Sequence, residues 1–575
     1  MRNFLLGTAL AAASLTIAAA PASAQTLPTS ESHPVACGMQ TVEATDHTIA
    51  LENTRRNDPR LFAMMSERAS GKSTLRLQSS GEIEETFFVL NNATRQYDLV
   101  SAVLVYDGIL ARVWIDVRDT TRVRPGSAQV RTLVRALDTA TAAGSHDPSK
   151  GILANDIELF GAPPTQLQIE GKTDFLLTDI KEAIQGGFIA GYFSPQDQTQ
   201  AAGSNMRNIL YIDSREGLAS TTSLLNTIAH EFQHLIHFAR RRTSELFFNE
   251  GCSEVASILN GYWNRTNNGY MANTNVDLLT WPSGSTDGSL LLATYERAMT
   301  LTHFLHEQYG VRFLYEFVGS SAKGLARIDD GLTKTGLASD VVNAKAALRA
   351  FAVANYLQTS SDPAYGYQFK VGSRKPTLGA SYVTETLPAT GTVQLKRYGT
   401  TYMQIAAGAQ TVRFSAAGDF RVMAMIYTSG ALQIRELAPD ESATIGSDGA
   451  GDRVVLAIVN LAGAVNDVTW TASPATTSAV DDVTGASTTL RIAAVAPNPV
   501  VERATVTFTV ADRDPVSLEL IDARGQSVRT LLAPTTLDAG THELVLDASG
   551  LPAGYYMAAI RQGERVATHL VVVTR

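Results

Sequence analysis

Residues 221–241 read as one long helix that has to be buried yet carries three ionisable side chains within five positions. Leu224, Leu225 and Ile228 come before His230, Glu231 and His234, and Leu235, Ile236 and Phe238 come after them. Burying that many ionisable groups is costly unless each finds a partner. Two histidines four apart lie about 40° apart around a helix axis and one turn along, so both imidazoles can reach one metal ion. Glu231 projects beside the same spot, where it can accept a proton from a metal-bound water. The competing reading is a surface helix with two incidental histidines, and the apolar flanks argue against it.

Zinc suits this donor set. In a catalytic site it takes three protein ligands and leaves a fourth position to water. A third histidine on a short turn would give H-E-x-x-H-x-x-G-x-x-H, but those last two anchor positions hold His237 and Arg240, which excludes that class. The better source is Phe247-Phe248-Asn249-Glu250-Gly251-Cys252-Ser253-Glu254. Glu250 follows His234 by 16 residues, room for one helix to end and a second to return antiparallel. Glu250 is then the third ligand. Glu254, one turn on, is a carboxylate that fixes the ring of a ligand histidine from behind. Two other readings stay open: the pair exchanged, or both as solvated helix charges. His237 falls a turn too far along and is read as packing.

The chain has 575 residues, 45% apolar and 18% charged, with a net charge of -9. At about 150 residues per domain this gives three or four domains with ample core. The acidic balance argues against a nucleic-acid binder. Residues 1–24 combine Arg2, an uncharged run from Phe4 to Ala20 and small residues before Gln25, the pattern of a secretory signal peptide. No later stretch approaches a transmembrane length, so no membrane span is expected in the mature chain. Residues 25–80 are polar and irregular, an N-terminal or pro-segment, with a weak helical pattern from Asp58 to Ala69. Across 81–380, strands come first (Thr86–Leu90, Leu99–Tyr106, Ala111–Val117, Thr173–Ile180, Asn208–Asp213) and helices follow, an α+β order. Residues 385–472 hold short strands between Gly, Ala and Asp turns, read as an accessory β-sandwich. A small, polar linker follows at 473–489, and a second compact β module occupies 490–575.

The two cysteines exclude a disulfide scaffold or a cysteine-only metal site. Outside the cytoplasm Cys37 and Cys252 can form one long-range disulfide. Alternatively, Cys37 sits in a removable segment whose thiolate caps the metal.

The segments Gly191–Pro195, Asn208–Asp213, Ala229–Phe238 and Asn249-Glu250-Gly251 together resemble the gluzincin metallopeptidases, and within them the hyicolysin-type family. The resemblance covers roughly residues 80 to 360. It implies a zincin-like fold and zinc endopeptidase activity on protein or peptide substrates. By motif position it carries over His230, His234 and Glu250 as metal ligands and Glu231 as the catalytic base. It also implies that Ile209–Asp213 is the sheet edge that aligns an extended peptide antiparallel to itself.

With two neutral imidazoles and one carboxylate, zinc keeps a positive charge that acidifies its water and polarises a carbonyl. Glu231 takes the water's proton and returns it to the leaving amine. The oxyanion needs a further donor. Tyr295 is the first candidate, with Tyr262 and Tyr270 as rivals, while His303 and His306 are read as structural. Two other functions stay in view: a surface protein that binds zinc or peptide without turnover, and a zinc hydrolase of a non-protein amide.

The last module resembles the type A C-terminal sorting domain of the type IX secretion system. Ala496-Pro497-Asn498-Pro499-Val500, Ala504–Phe508, Leu518–Gly525 and Asp547–Tyr556 carry that resemblance. It implies handling by the secretion machinery at the outer membrane after passage through the periplasm, and a secreted or cell-surface protein. The expected whole is a multi-domain chain, an α+β zincin-like catalytic domain followed by two β-sandwich (Ig-like) modules.

Overall fold

The computed structural model describes residues 35–37, 44–71, 76–79 and 82–573, apart from 121–122, 125, 168, 182–187, 216–217, 219, 264, 284–286, 359–364, 366, 368–373, 379–386, 406–409, 429–430, 446–452, 476–489, 497, 499, 511, 522–526, 553 and 564. The signal-peptide region and most of the 473–489 linker therefore lie outside the described residues.

The first layer is an eight-stranded mixed sheet built from β1 (Val35–Cys37), β2 (Arg76–Ser79), β3 (Glu82–Asn91), β4 (Gln96–Asp107), β5 (Ala111–Asp116), β6 (Thr173–Thr178), β7 (Phe188–Phe193) and β8 (Ile209–Asp213). Their order across the sheet is β1-β7-β8-β6-β5-β4-β3-β2. β5, β6 and β8 run parallel, and β7 runs antiparallel to β8. Alternation along the central strands sends side chains to two separate cores. Val113, Ile115, Phe175, Leu177, Leu210 and Ile212 face the larger one; Trp114, Leu176, Ile209 and Tyr211 face the other. That period of two follows from the pleat.

Two helices that the sequence barely announces, α1 (Ala44–Asn57) and α2 (Pro59–Ala69), cover the second face. They bury Ala50, Leu61 and Met65 against Phe87, Trp114, Tyr192 and Tyr211. The polar, irregular reading of 25–80 missed α1 because polar anchors accompany its small apolar contact. His47 bridges the hydroxyls of Tyr97 (2.5 Å) and Ser194 (3.1 Å), and Thr54 Oγ1 accepts from Tyr97 N–H at 2.9 Å.

On the first face lie α3 (Ala128–Asp138), α4 (Ile152–Phe160), α5 (Thr221–Arg240), α6 (Leu246–Leu259), α7 (Asn268–Ala272), α8 (Gly288–Gly319), α9 (Leu325–Lys334) and α10 (Ala344–Leu357). Ser220 caps the start of α5, and its side chain accepts from Ser223 N–H. Gly191 in β7 lets this helix seat closely, since a Cβ there would come within 2.7 Å of Thr227 Cγ2 and 2.9 Å of Tyr211 O. Gly251 does the same between α6 and α8, where a Cβ would meet Thr302 Oγ1 at 2.4 Å and the backbone oxygen of Ala298 at 2.8 Å. The kink inside α8 falls at Gly310, whose φ is 79°.

One expectation is overturned. The strand Ile209–Asp213 is not a sheet edge, because β6 and β7 pair with its two sides. β7 extends the sheet beyond it, and β1 pairs parallel to β7 at the rim. The apolar run Phe188–Phe193, broken by Gly191, hid a strand that the sequence reading did not assign.

Eight strands follow: β9 (Ala389–Leu395), β10 (Thr400–Ile405), β11 (Gln410–Ser415), β12 (Phe420–Thr428), β13 (Ala431–Leu437), β14 (Ser442–Ile445), β15 (Arg453–Asn460) and β16 (Asn466–Pro474). They form two four-stranded sheets, β10-β15-β12-β13 and β14-β11-β16-β9, around a core that includes Phe414, Leu456 and Trp470. The outer side of the first sheet is not free. Met423, Met425, Val455 and Ala457 join the helical core, and Tyr402 hydroxyl donates to Ala352 O at 2.6 Å on α10. The last module consists of β17 (Arg491–Ala496), β18 (Arg503–Val510), β19 (Pro515–Ile521), β20 (Ser527–Thr536), β21 (Gly540–Asp547), β22 (Gly554–Gln562) and β23 (Arg565–Val573). Its sheets β17-β18-β21 and β20-β19-β22-β23 close on their own core around Val506, Phe508, Leu518 and Ile560. Among the described residues, no helix is long and apolar enough to cross a membrane.

Candidate metal centre

α5 and α6 pack antiparallel, with Ser257 Oγ donating to Asn226 O at one end and Ser253 beside His234 further along. This pairing carries Glu250 to the two histidines. Glu250 Oε2 lies 3.2 Å from His230 Nε2 and 3.5 Å from His234 Nε2. One ligand atom from each of His230, His234 and Glu250 falls within 4.8 Å of the others, and all three residues are buried.

The outer nitrogens explain how the rings are held. His234 Nδ1 stands 3.1 Å from Asn249 Oδ1 and 3.0 Å from Ser253 Oγ, while Ser253 donates its own proton to Gln233 Oε1 at 2.6 Å. Two acceptors at Nδ1 put the proton there and leave Nε2 with a lone pair. His230 Nδ1 faces Glu254 Oε1 at 3.6 Å, and Glu254 is in turn paired with Arg265 at 3.1 Å. Both imidazoles aim Nε2 at the same carboxylate oxygen of Glu250. Three such groups converging in a buried place suit a shared cation.

Without a metal, protons do that work. Burial alone would disfavour charge on both groups. Glu250 overrides it and raises His234 to about 9, while the histidines bring Glu250 down to about 2. Glu250 Oε1 remains buried without a hydrogen-bond partner. Two imidazole nitrogens and a carboxylate with an unused oxygen are the donors that a catalytic zinc takes, and the residues fit the ion.

Glu231 is buried beside them, and its Oε2 accepts from Phe193 N–H at 3.1 Å. Tyr295 is buried against Trp281, with the Arg265 guanidinium 4.7 Å above its ring, and Arg265 in turn pairs with Glu254. Tyr262 is partly buried, and Tyr270 stacks on Phe351. His303 Nε2 lies 3.3 Å from Glu307, and its ring stacks on Tyr367, away from the centre. His237 is buried among Ser244, Gln233 and Arg327, in line with its reading as packing, and burial together with Arg327 holds it well below the usual histidine range.

Sequence reasoning missed Ser253, Gln233 and Arg265. Ser253 stands three residues after Glu250 and Gln233 one before His234, spacings that helix geometry could have flagged. Arg265 gave no such signal. Cys252 is a buried free thiol, pushed up to about 12 by its burial. The backbone of Cys37 lies on β1.

Comparison with known proteins bears on two parts of the chain. Residues 494–574 match the secretion system C-terminal sorting domain. That module marks the chain for export, to secretion or attachment at the cell surface. The chain is 25% identical over 195 residues to the neutral metalloprotease ShpI of Staphylococcus hyicus, a match that supports a metallopeptidase relationship. It covers 32% of this chain and 41% of that protein, so less than half of the curated relative is spanned. Among solved structures, a de novo designed double-stranded β-helix aligns at 14% identity and a TM-score of 0.12, covering 15% of this chain and 99% of the design. A Faecalibacterium prausnitzii β-glucuronidase aligns at 12% identity and 0.13, over 31% and 38%. Neither overlap defines a shared fold.

Proposed function

We propose that the chain is a secreted zinc endopeptidase, with a zincin-like catalytic domain at 81–380, an accessory β-sandwich at 385–472 and a detachable export module at 490–575. The observation that carries this reading is the convergence of His230 Nε2, His234 Nε2 and Glu250 Oε2 in one buried spot, with each histidine held from behind by a separate partner. The relationship to a metalloprotease supports the same class of chemistry.

Zinc, when bound, supplies a Lewis acid that polarises a peptide carbonyl and makes water acidic enough to ionise near neutral pH. His230, His234 and Glu250 hold it. Glu254 and Arg265 orient His230, while Ser253, Gln233 and Asn249 orient His234. Glu231 takes the proton of the attacking water and delivers it to the leaving amine. Phe193 N–H fixes that carboxylate against β7. Tyr295 is the proposed oxyanion donor.

The test is hydrolysis of an unfolded protein by the purified zinc-loaded chain, with Glu231→Ala alongside. Cleavage by the parent alone establishes the peptidase and its base together. A folded, zinc-loaded preparation freed of any pro-segment that leaves the substrate intact would overturn the reading.

A further inference from the structure

A cavity of about 130 Å³ opens where α5 ends and α9 begins, away from the candidate metal centre. Its wall includes Arg327, Arg241 and Lys323, against one carboxylate, Glu245. Arg327 is the informative residue. It is 1% exposed, and its guanidinium donates to Phe317 O, Val318 O, Ser244 Oγ and His237 Nε2, all neutral partners. Among the described residues no carboxylate forms an ion pair with Arg327, Arg241 or Lys323.

Buried charges in folded proteins are paired, because an unpaired one forfeits its hydration without compensation. The nearby acids do not fill that role. Asp330 is taken up by Ser320 and by Lys334 at 2.7 Å. Glu245 accepts the backbone N–H of Gly324 at 2.8 Å, so one carboxylate already sits at the start of α9. The cavity retains three cations against that one anion, with the hydroxyls of Ser244 and Ser320 on its wall.

We infer that this cavity binds a small, multiply charged oxyanion of the phosphate class. Such an ion offers enough acceptors for a lysine, the exposed side of an arginine and neighbouring hydroxyls at once, and its charge answers the unpaired Arg327. A space of about 130 Å³ admits it with several waters. The cavity shares no residue with His230, His234 and Glu250, so this inference stands or falls apart from the peptidase reading.

Calorimetric titration of the zinc-loaded full chain with inorganic phosphate, at ionic strength held constant with chloride, tests it. The comparison is the double variant Arg241→Gln, Lys323→Gln, whose two side chains lie toward solvent and leave Arg327 and its packing in place. The expected result is saturable one-site binding in the parent, weakened about tenfold or more in the variant, since each lost charge-assisted contact costs about that much. Absence of saturable binding in the parent overturns the assignment. So does a variant that binds within about tenfold of it, as phosphate held at the metal centre would give.

Discussion

Phe193 N–H donates to Glu231 Oε2 at 3.1 Å, so a strand backbone anchors the carboxylate of the proposed base. A glutamine at 231 keeps a carbonyl oxygen for that N–H. Glu231→Gln should therefore fold and bind zinc as the parent does while losing about 10²–10⁴ in turnover, the range for a general base. Zinc content and the melting temperature are measured beside hydrolysis. A variant that loses zinc would make Glu231 a ligand instead of a base.

Ser253 orders His234 without touching the metal position. Its hydroxyl donates to Gln233 Oε1 and so presents only an acceptor to His234 Nδ1. Ser253→Ala leaves Asn249 Oδ1 in place at His234 Nδ1, and the expected loss is about 10–100-fold in zinc affinity. His230→Ala should lose zinc and activity together. Competition with a chelator measures both. Parent-like zinc affinity in Ser253→Ala would remove the serine from the site, and full zinc in His230→Ala would sink the ligand assignment.

The two cores and the centre were legible in the sequence to different degrees. β3 to β6, β8 and α5 announce themselves because each carries its own periodicity, and the alternation of Leu210 and Ile212 against Ile209 and Tyr211 matches their sorting into the two cores. Of the candidate donors, His230 and His234 were legible because helix geometry links residues four apart, and Gly251 follows Glu250 for a packing reason found only in three dimensions. β7 and α1 were not legible. Both depend on partners far along the chain, Thr227 above Gly191 and Tyr97 beside His47, that no local pattern contains.

His47 makes stability depend on pH with a definite sign. Burial lowers it from 6.5 to about 4, against the smaller opposing pull of Asp46. Between those values the unfolded chain binds a proton that the folded one refuses, so this contribution is full above pH 6.5 and fades as pH falls toward 4. The total is about 3 kcal/mol. Buried Asp197, raised to about 7, acts in the opposite sense over an overlapping range. The informative quantity is therefore the difference between His47→Gln and the parent in urea unfolding from pH 4 to 7.5. The gap in stability should narrow toward pH 4; a constant gap would show that His47 does not titrate in that window.

The N-terminal segment has two structural roles, and the two place any activating cut differently. β1 pairs with β7 at the sheet rim, beside the strand whose Phe193 N–H holds Glu231. α1 and α2 instead close the second core, where Leu61 and Met65 are 6% and 0% exposed. Burial of each such side chain contributes about 1.5–3 kcal/mol. A pro-segment running to residue 80 would take those contacts with it and uncover Trp114, Tyr192 and Tyr211. A cut before Ala44 would free the β7 edge, an unpaired row of N–H and C=O groups suited to an extended peptide, and leave the core closed. A chain beginning at residue 44 should unfold near the parent's melting temperature, and one beginning at 81 should unfold far lower or aggregate. Equal melting temperatures for the two would mean that α1 and α2 contribute nothing to the fold, and the boundary at 80 would then stand.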